Sequence, residues 1–150
     1  MSAEEGQVPH WLLKTEPGAY SIADLERDGT TRWDGVRNAQ ARNYLRDLVG
    51  VGDGVLIYHS GVRPPGVVGR GEVVRAGYED PTDTDAAPGT SPWVAIDVAW
   101  CETFPAMVTL DQIRAHPDLA DMMVLRRPRL SVQPLEARHF DLVVELARSG

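Results

Sequence analysis

Apolar positions along this chain recur with two periods, and Pro, Gly and Asx residues punctuate them into short elements. The continuous run Trp11-Leu12-Leu13 within His10–Lys14, closed by Thr15-Glu16-Pro17-Gly18, predicts a buried first strand ending in a turn. Lys14 and Glu16 leave it on the same side by the two-residue period. Ser21-Ile22-Ala23-Asp24 caps a short helix with Ile22 and Leu25 inward and Gly29 as its stop. Thr30–Trp33 is a short β-prone stretch broken by Asp34-Gly35, and Asn38 stands where the N-cap of the next helix belongs. In that helix Ala41, Tyr44, Leu45 and Leu48 recur at helical spacing, with Arg42 and Arg46 on one flank. Val55–His59 and Val67–Val74 read as strands, the second with glycines that signal a bulge or sharp corner. Gly77–Pro92 reads as a long exposed loop, and Trp93–Trp100 alternates cleanly as a strand. Thr109–Gln112 is a capping box for a helix that stops before Pro117. Leu119–Leu125 is irregular, Arg129–Gln133 reads as a last strand, and Glu136–Ala147 as the closing helix. The pattern predicts an α+β fold, with about five to six short strands closing into a small mixed β-barrel and helices flanking it. It contains no internal repeat.

The 150 residues fit one domain with a sizeable core. Residues 10–148 are expected to form it, behind a disordered tail over residues 1–9. No apolar run approaches the ~20 residues of a membrane helix, and Met1–Val8 is polar and lacks the apolar region of a signal peptide. Cys101, the lone cysteine, follows Trp100 in an apolar run and reads as a buried packing residue. These features point to a cytoplasmic protein that makes no membrane contact. No metal-ligand spacing is present among Cys and His, so no metal or other cofactor is expected. The net charge of −7 argues against wrapping of duplex DNA, but the charge is uneven. Arg32–Arg46 is locally basic, Arg126, Arg127 and Arg129 form a second basic run, and Glu79, Asp80, Asp83 and Asp85 read as an acidic loop. All basic residues but Lys14 are Arg, which marks Lys14 as a place that calls for a compact ammonium.

Known catalytic patterns are absent: no nucleophile elbow, P-loop, H-E-x-x-H or zinc-deaminase signature occurs. His10, His116 and His139 read as surface or capping residues. Trp11, Trp93 and Trp100 lie in apolar strand contexts and read as core. Trp33 differs, because charged and turn residues surround it, and Tyr58 ends a strand just before His59 and Ser60. The stretch Trp33–Asn43 concentrates an aromatic face, Arg forks and Asn and Gln amides, the equipment for holding a flat, polar, partly anionic object such as a nucleotide.

Five collinear motifs extend this reading. Trp11–Pro17, Trp33–Asn38, Gln40–Asn43, Tyr58-His59-Ser60 and Leu130–Pro134 together resemble the EVE domain from about His10 to Leu146. The resemblance implies a PUA-like barrel related to the YTH domains that read methylated adenine. It also implies recognition of modified bases in DNA or RNA without enzymatic activity. In that family's pattern Trp33 would wall the base, with Tyr58 or Trp11 near the second wall. Lys14, Thr15, Asn38, His59, Ser60 and Ser131 would make polar contacts, and Arg37, Arg42 and Arg129 would guide the backbone. Thr15 stands where Ser is usual and keeps the hydroxyl, whereas Ala39 replaces an aromatic, which bears on which base fits.

Magnitudes bear on the target. Extruding a duplex base costs a few kcal/mol, and two stacking contacts plus one bidentate hydrogen bond return roughly 3–9 kcal/mol. With few phosphate contacts available, single-stranded or looped RNA or DNA is favoured over duplex, with micromolar-class binding and a shallow salt dependence. The expected partner is therefore nucleic acid carrying a modified base, bound by a monomer. Two other classes stay open at this point: a small enzyme acting on modified nucleotides through Lys14, Glu16 or His59, and a protein-interaction adaptor using the Trp33 helix.

Overall fold

The computed structural model describes residues 9–149. The expected tail lies outside that range except for Pro9. Six strands, β1 His10–Thr15, β2 Thr30–Trp33, β3 Gly54–His59, β4 Gly66–Glu79, β5 Val94–Thr109 and β6 Val132–Leu135, form one mixed sheet. Around it lie helices α1 Ile22–Asp28, α2 Ala39–Asp47, α3 Leu110–Ala115 and α4 Ala137–Ser149, with a single 3-10 turn at Met123–Leu125. The spatial order is β2-β5-β4-β3-β1-β6. Only β1 and β3 run parallel, and the crossover between them carries α1, β2 and α2.

The mixed six-strand sheet with flanking helices is the expected fold class. The sheet is not closed, however. The short strands β2 and β6 are its two edges, and no ladder joins them. Pro134 lies inside β6, opposite Trp11, where the sequence had placed the strand's end. An edge strand tolerates a residue without an N–H, because one side of it has no ladder to feed.

The two-residue period sorts the sheet's side chains into two cores. Trp11, Leu13, Val55, Ile57, Ile96 and Val98 face one core with α1 and α2 residues Ile22, Leu25, Ala41 and Leu45. Leu12, Leu56, Tyr58, Phe104 and Val108 face the other with Ile113, Val143, Val144 and Ala147. Two glycines of β4 permit this packing. A Cβ at Gly69 would lie 2.6 Å from the Ile22 side chain, and one at Gly77 would lie 2.7 Å from the Leu45 carbonyl oxygen. Gly77 is thus part of a strand that passes tightly beneath α2, not of a loop.

Several expectations are corrected by packing. β5 continues past Trp100 to Thr109. Between Thr103 and Val108 it bulges against β4, and Pro105 falls in the unpaired stretch, where its missing N–H costs nothing. β6 begins at Val132 rather than Arg129. α2 ends at Asp47, so Leu48 turns out to solvent and Val49 is buried in its place. Cys101 is only half-buried, and Trp93 and Trp100 are partly exposed. His139 is buried on α4, with Nε2 2.9 Å from an Asp121 carboxylate oxygen. Among the described residues no helix is long and apolar enough to cross a membrane.

Candidate functional site

A cleft of about 540 Å³ opens where the end of β1, the end of β2 with its following turn, and the loop before β6 converge. Trp33 and Tyr20 form its aromatic corner, their rings nearly perpendicular with centroids 6.5 Å apart. Trp33 is mostly embedded in the first core and shows the cleft a narrow strip, 8% of its surface. Its indole N–H makes no hydrogen bond among the described residues. Tyr20 is braced by its own hydroxyl, which donates to Asp28 at 2.8 Å. Its carbonyl accepts the Thr15 hydroxyl at 2.9 Å. The polar side of the cleft carries Lys14, Thr15 and Ser131. The Lys14 ammonium donates to the Pro128 carbonyl at 2.6 Å and lies 5.4 Å from the Tyr58 ring centroid. Burial pushes its pKa down, which leaves its proton more readily transferred or shared than that of a surface lysine.

The rim is shaped by a residue the sequence reading left in an acidic loop. Asp80 is buried, and its carboxylate accepts the Gly35 N–H at 2.8 Å, Arg37 Nη1 at 3.0 Å, and both the N–H and hydroxyl of Thr82 at 2.7 and 2.6 Å. Burial alone would raise the Asp80 pKa, but these donors outweigh it and bring it down to about 2. Gly35 sits at φ +76°, a turn conformation that a side chain strains, and its N–H thereby points at Asp80. The Trp33–Arg37 segment is therefore held in place from the β4–β5 loop.

The structure brings together Trp33, Lys14, Thr15, Ser131 and Arg37 of the residues singled out from sequence. It places the others elsewhere. Trp11 is in the first core, donating its indole N–H to buried Asp53 at 2.9 Å. Tyr58 is buried in the second core. Asn38 caps α2 by accepting the Ala41 N–H at 2.9 Å. His59 is buried, and its Nε2 accepts the Ile22 N–H at the start of α1 at 3.1 Å. Burial lowers its pKa, in keeping with a neutral acceptor. Ser60 donates its N–H to the Thr15 carbonyl beyond the β1 end. Arg42 and Arg129 do not line the cleft. Lys14 and Glu16 do not pair. Sequence reasoning missed Tyr20, although an aromatic immediately before a Ser N-cap is the position of a hydrophobic staple. It also missed Asp80, whose Asp-Pro-Thr context is that of an Asx turn.

Charge is distributed around this cleft in a particular way. Arg27, Arg32, Arg37, Arg46, Arg70, Arg114, Arg138 and Arg148 all pair with carboxylates. Lys14, Arg42, Arg127 and Arg129 have no carboxylate partner among the described residues, and of these Lys14 lines the cleft. Arg127 reaches Gln40 on α2 at 2.8 Å, which ties the second basic run to the first. Arg63, Arg75 and Arg126 also lack a carboxylate; Arg75 stacks on Tyr78 and Arg126 donates to the Asp121 carbonyl. Away from the cleft, Asp121, Glu136 and His139 place potential ligand atoms within 4.8 Å of one another. The Arg138 guanidinium already bridges both carboxylates there and supplies the positive charge a cation would bring.

Comparison with known proteins gives a consistent picture. Residues 9–146 match the EVE domain. Thymocyte nuclear protein 1 of Gallus gallus is 34% identical over 173 residues, covering 95% of this chain and 71% of that protein. A solved structure of a hypothetical protein from Leishmania major superposes with a TM-score of 0.91 at 38% identity, covering 99% of this chain and 98% of that one. Human THYN1 protein, solved in complex with 5-methylcytosine containing DNA, superposes with a TM-score of 0.83 at 32% identity, covering 93% and 97%. The YTH domain of Zygosaccharomyces rouxii MRB1 protein shares the fold at a TM-score of 0.59 and 13% identity, over 95% and 88% of the two chains.

Proposed function

The chain belongs to the EVE domain family, and from that membership and the cleft beside Trp33 we propose that it is a non-catalytic reader of modified bases in nucleic acid. The observation that carries the reading is the convergence of an aromatic corner, an ammonium and two hydroxyl side chains on one open cleft. Its volume lies in the range of small-molecule sites, roughly 300–1,000 Å³. In this reading an extruded base enters against Trp33 and Tyr20. The Trp33 indole N–H, Lys14 and the Thr15 and Ser131 hydroxyls contact its edge, and Arg42, Arg127 and Arg129 attract the flanking phosphates. The relative solved with 5-methylcytosine containing DNA supports 5-methylcytosine as the first base to test. Lys14 and His59 of the catalytic alternative are engaged by the Pro128 carbonyl and the Ile22 N–H, which favours binding over turnover.

Calorimetric titration of the protein with a panel of modified nucleosides, 5-methylcytidine and N6-methyladenosine among them, tests this. At least one modified nucleoside is expected to bind more tightly than its unmodified parent, and Trp33→Ala to weaken it tenfold or more. A Trp33→Ala protein with native circular dichroism and unchanged affinity would remove Trp33 from the site. Conversion of any nucleoside during the titration would favour the enzyme.

A further inference from the structure

Four tryptophans serve four different ends here. Trp11 donates to buried Asp53, Trp100 donates to Thr103 at 2.9 Å, and Trp33 faces the cleft. Trp93 alone stands partly exposed with an indole N–H that makes no hydrogen bond among the described residues. Guanidinium groups attend it from the turn after β2 and from α2: Arg37 lies 5.5 Å and Arg42 5.3 Å from its ring centroid. Arg37 also lines the cleft, so the cleft and the Trp93 ring share a wall.

We propose that Trp93 and Arg42 form a second subsite, which stacks the base and holds the phosphate of the nucleotide adjoining the one in the cleft. The proposal rests on the modified-base reading above and adds the strand's direction of travel, from the Trp33 cleft over Arg37 to Trp93. The two arginines divide the work. Arg37 is neutralised by Asp80 and acts as spacer. Arg42 has no carboxylate partner and is held over the ring by hydrogen bonds to the Pro92 carbonyl and the Asn43 side chain, so its charge is available to a phosphate. The backbone that carries the ring is tied by hydrogen bonds before any ligand arrives. The Trp93 carbonyl accepts the Asp80 N–H at 2.9 Å, its own N–H donates to Ser91 Oγ at 3.1 Å, and that hydroxyl donates to Asp83 at 2.6 Å. A pre-set aromatic face beside an uncommitted cation is the arrangement that binds single strands with little sequence preference. The competing role for Trp93 is purely structural, a cover over the Asp80 hydrogen bonds.

The test compares 5-methylcytidine with a single-stranded pentanucleotide carrying central 5-methylcytosine, on wild type, Trp93→Ala, Trp93→Phe and Arg42→Gln. Wild type is expected to prefer the pentanucleotide. Trp93→Ala should weaken the pentanucleotide about fivefold or more, as the loss of one stacking contact requires, and leave the nucleoside unchanged. Trp93→Phe should restore most of that loss. Arg42→Gln should lower the magnitude of the pentanucleotide's salt slope by about 0.7, the share of one phosphate on a single strand. Equal loss on nucleoside and pentanucleotide in Trp93→Ala would assign Trp93 to support of the cleft and overturn the subsite, as would no loss on either. A wild type that binds the nucleoside but gains nothing from the flanking nucleotides overturns the subsite alone. Failure of wild type to bind either probe overturns the base-reading function and the subsite with it.

Discussion

Asp80 is the side chain on which the shape of the cleft most depends. It is buried with donors from Gly35, Arg37 and Thr82, so the turn after Trp33 is fixed by a residue far along the chain. Hydrogen bonds to a charged group contribute about 1.5–3 kcal/mol each, and their loss leaves buried donors unmatched. Asp80→Asn, which keeps the shape and removes the charge, is expected to lower stability by about 1.5–3 kcal/mol, read as a shift of the urea midpoint at constant slope. The sign of the acid response follows from the depressed pKa. Folded Asp80 titrates at about 2 against an ordinary 3.8, so the folded state binds its proton later than the unfolded one. Its contribution is complete above the ordinary value and is lost as pH falls through that window towards 2. Urea midpoints measured from pH 5 to pH 2.5 should therefore fall less steeply for Asp80→Asn than for wild type.

At the scale of elements, the first two helices are secured at their N-termini by different devices. α1 has the Ser21–Asp24 capping box, and its first N–H also reaches His59 on β3. α2 has Asn38, which accepts the Ala41 N–H on the exposed side of the helix start. Asn38→Ala is expected to destabilise the protein by about 1 kcal/mol, and Asn38→Ser to restore most of it. Because Asn38 does not line the cleft, nucleoside affinity measured by calorimetry should be unchanged in the Ser variant. A several-fold loss there would return Asn38 to the group of base contacts that the family resemblance implies. The sheet beneath these helices must leave room for them, which is why Gly69 and Gly77 stand where α1 and α2 press on β4.

Across the whole molecule, a net charge of −7 coexists with four cations that have no carboxylate partner among the described residues, Lys14 in the cleft and Arg42, Arg127 and Arg129 outside its lining. Most other arginines are neutralised locally by acids. Such a surface attracts a strand at one place and offers it few phosphate contacts elsewhere. Four contacts on a single strand correspond to a slope of log affinity against log salt of about −3. Titrations of a modified single-stranded oligonucleotide between low and physiological salt should give a slope no steeper than that. A slope twice as steep would require a far larger basic footprint than this one.

Sequence alone determined whatever depends on neighbours along the chain. The capping residues Ser21, Asn38 and Thr109, the turn at Asp34-Gly35 and the alternation of Val94–Trp100 in β5 were legible, because caps, turns and pleats are set by residues within four positions of one another. The ordered motifs from Trp11 to Pro134 were legible as a family pattern, and Lys14 as an exception to the run of arginines. Tertiary structure decided which side chains meet. Trp11 and Tyr58 carry the same rings as any pocket wall, but partners distant in sequence assign one to Asp53 and the first core and the other to the second core. Tyr20 enters the cleft because the bend after β1 brings it edge-on to Trp33, and the β4–β5 loop carries Asp80 beneath Gly35. The two basic runs meet only because the chain before β6 folds so that Arg127 reaches Gln40 on α2. Local chemistry determined the elements, whereas burial and long-range pairing selected which of the many polar and aromatic side chains border the cleft.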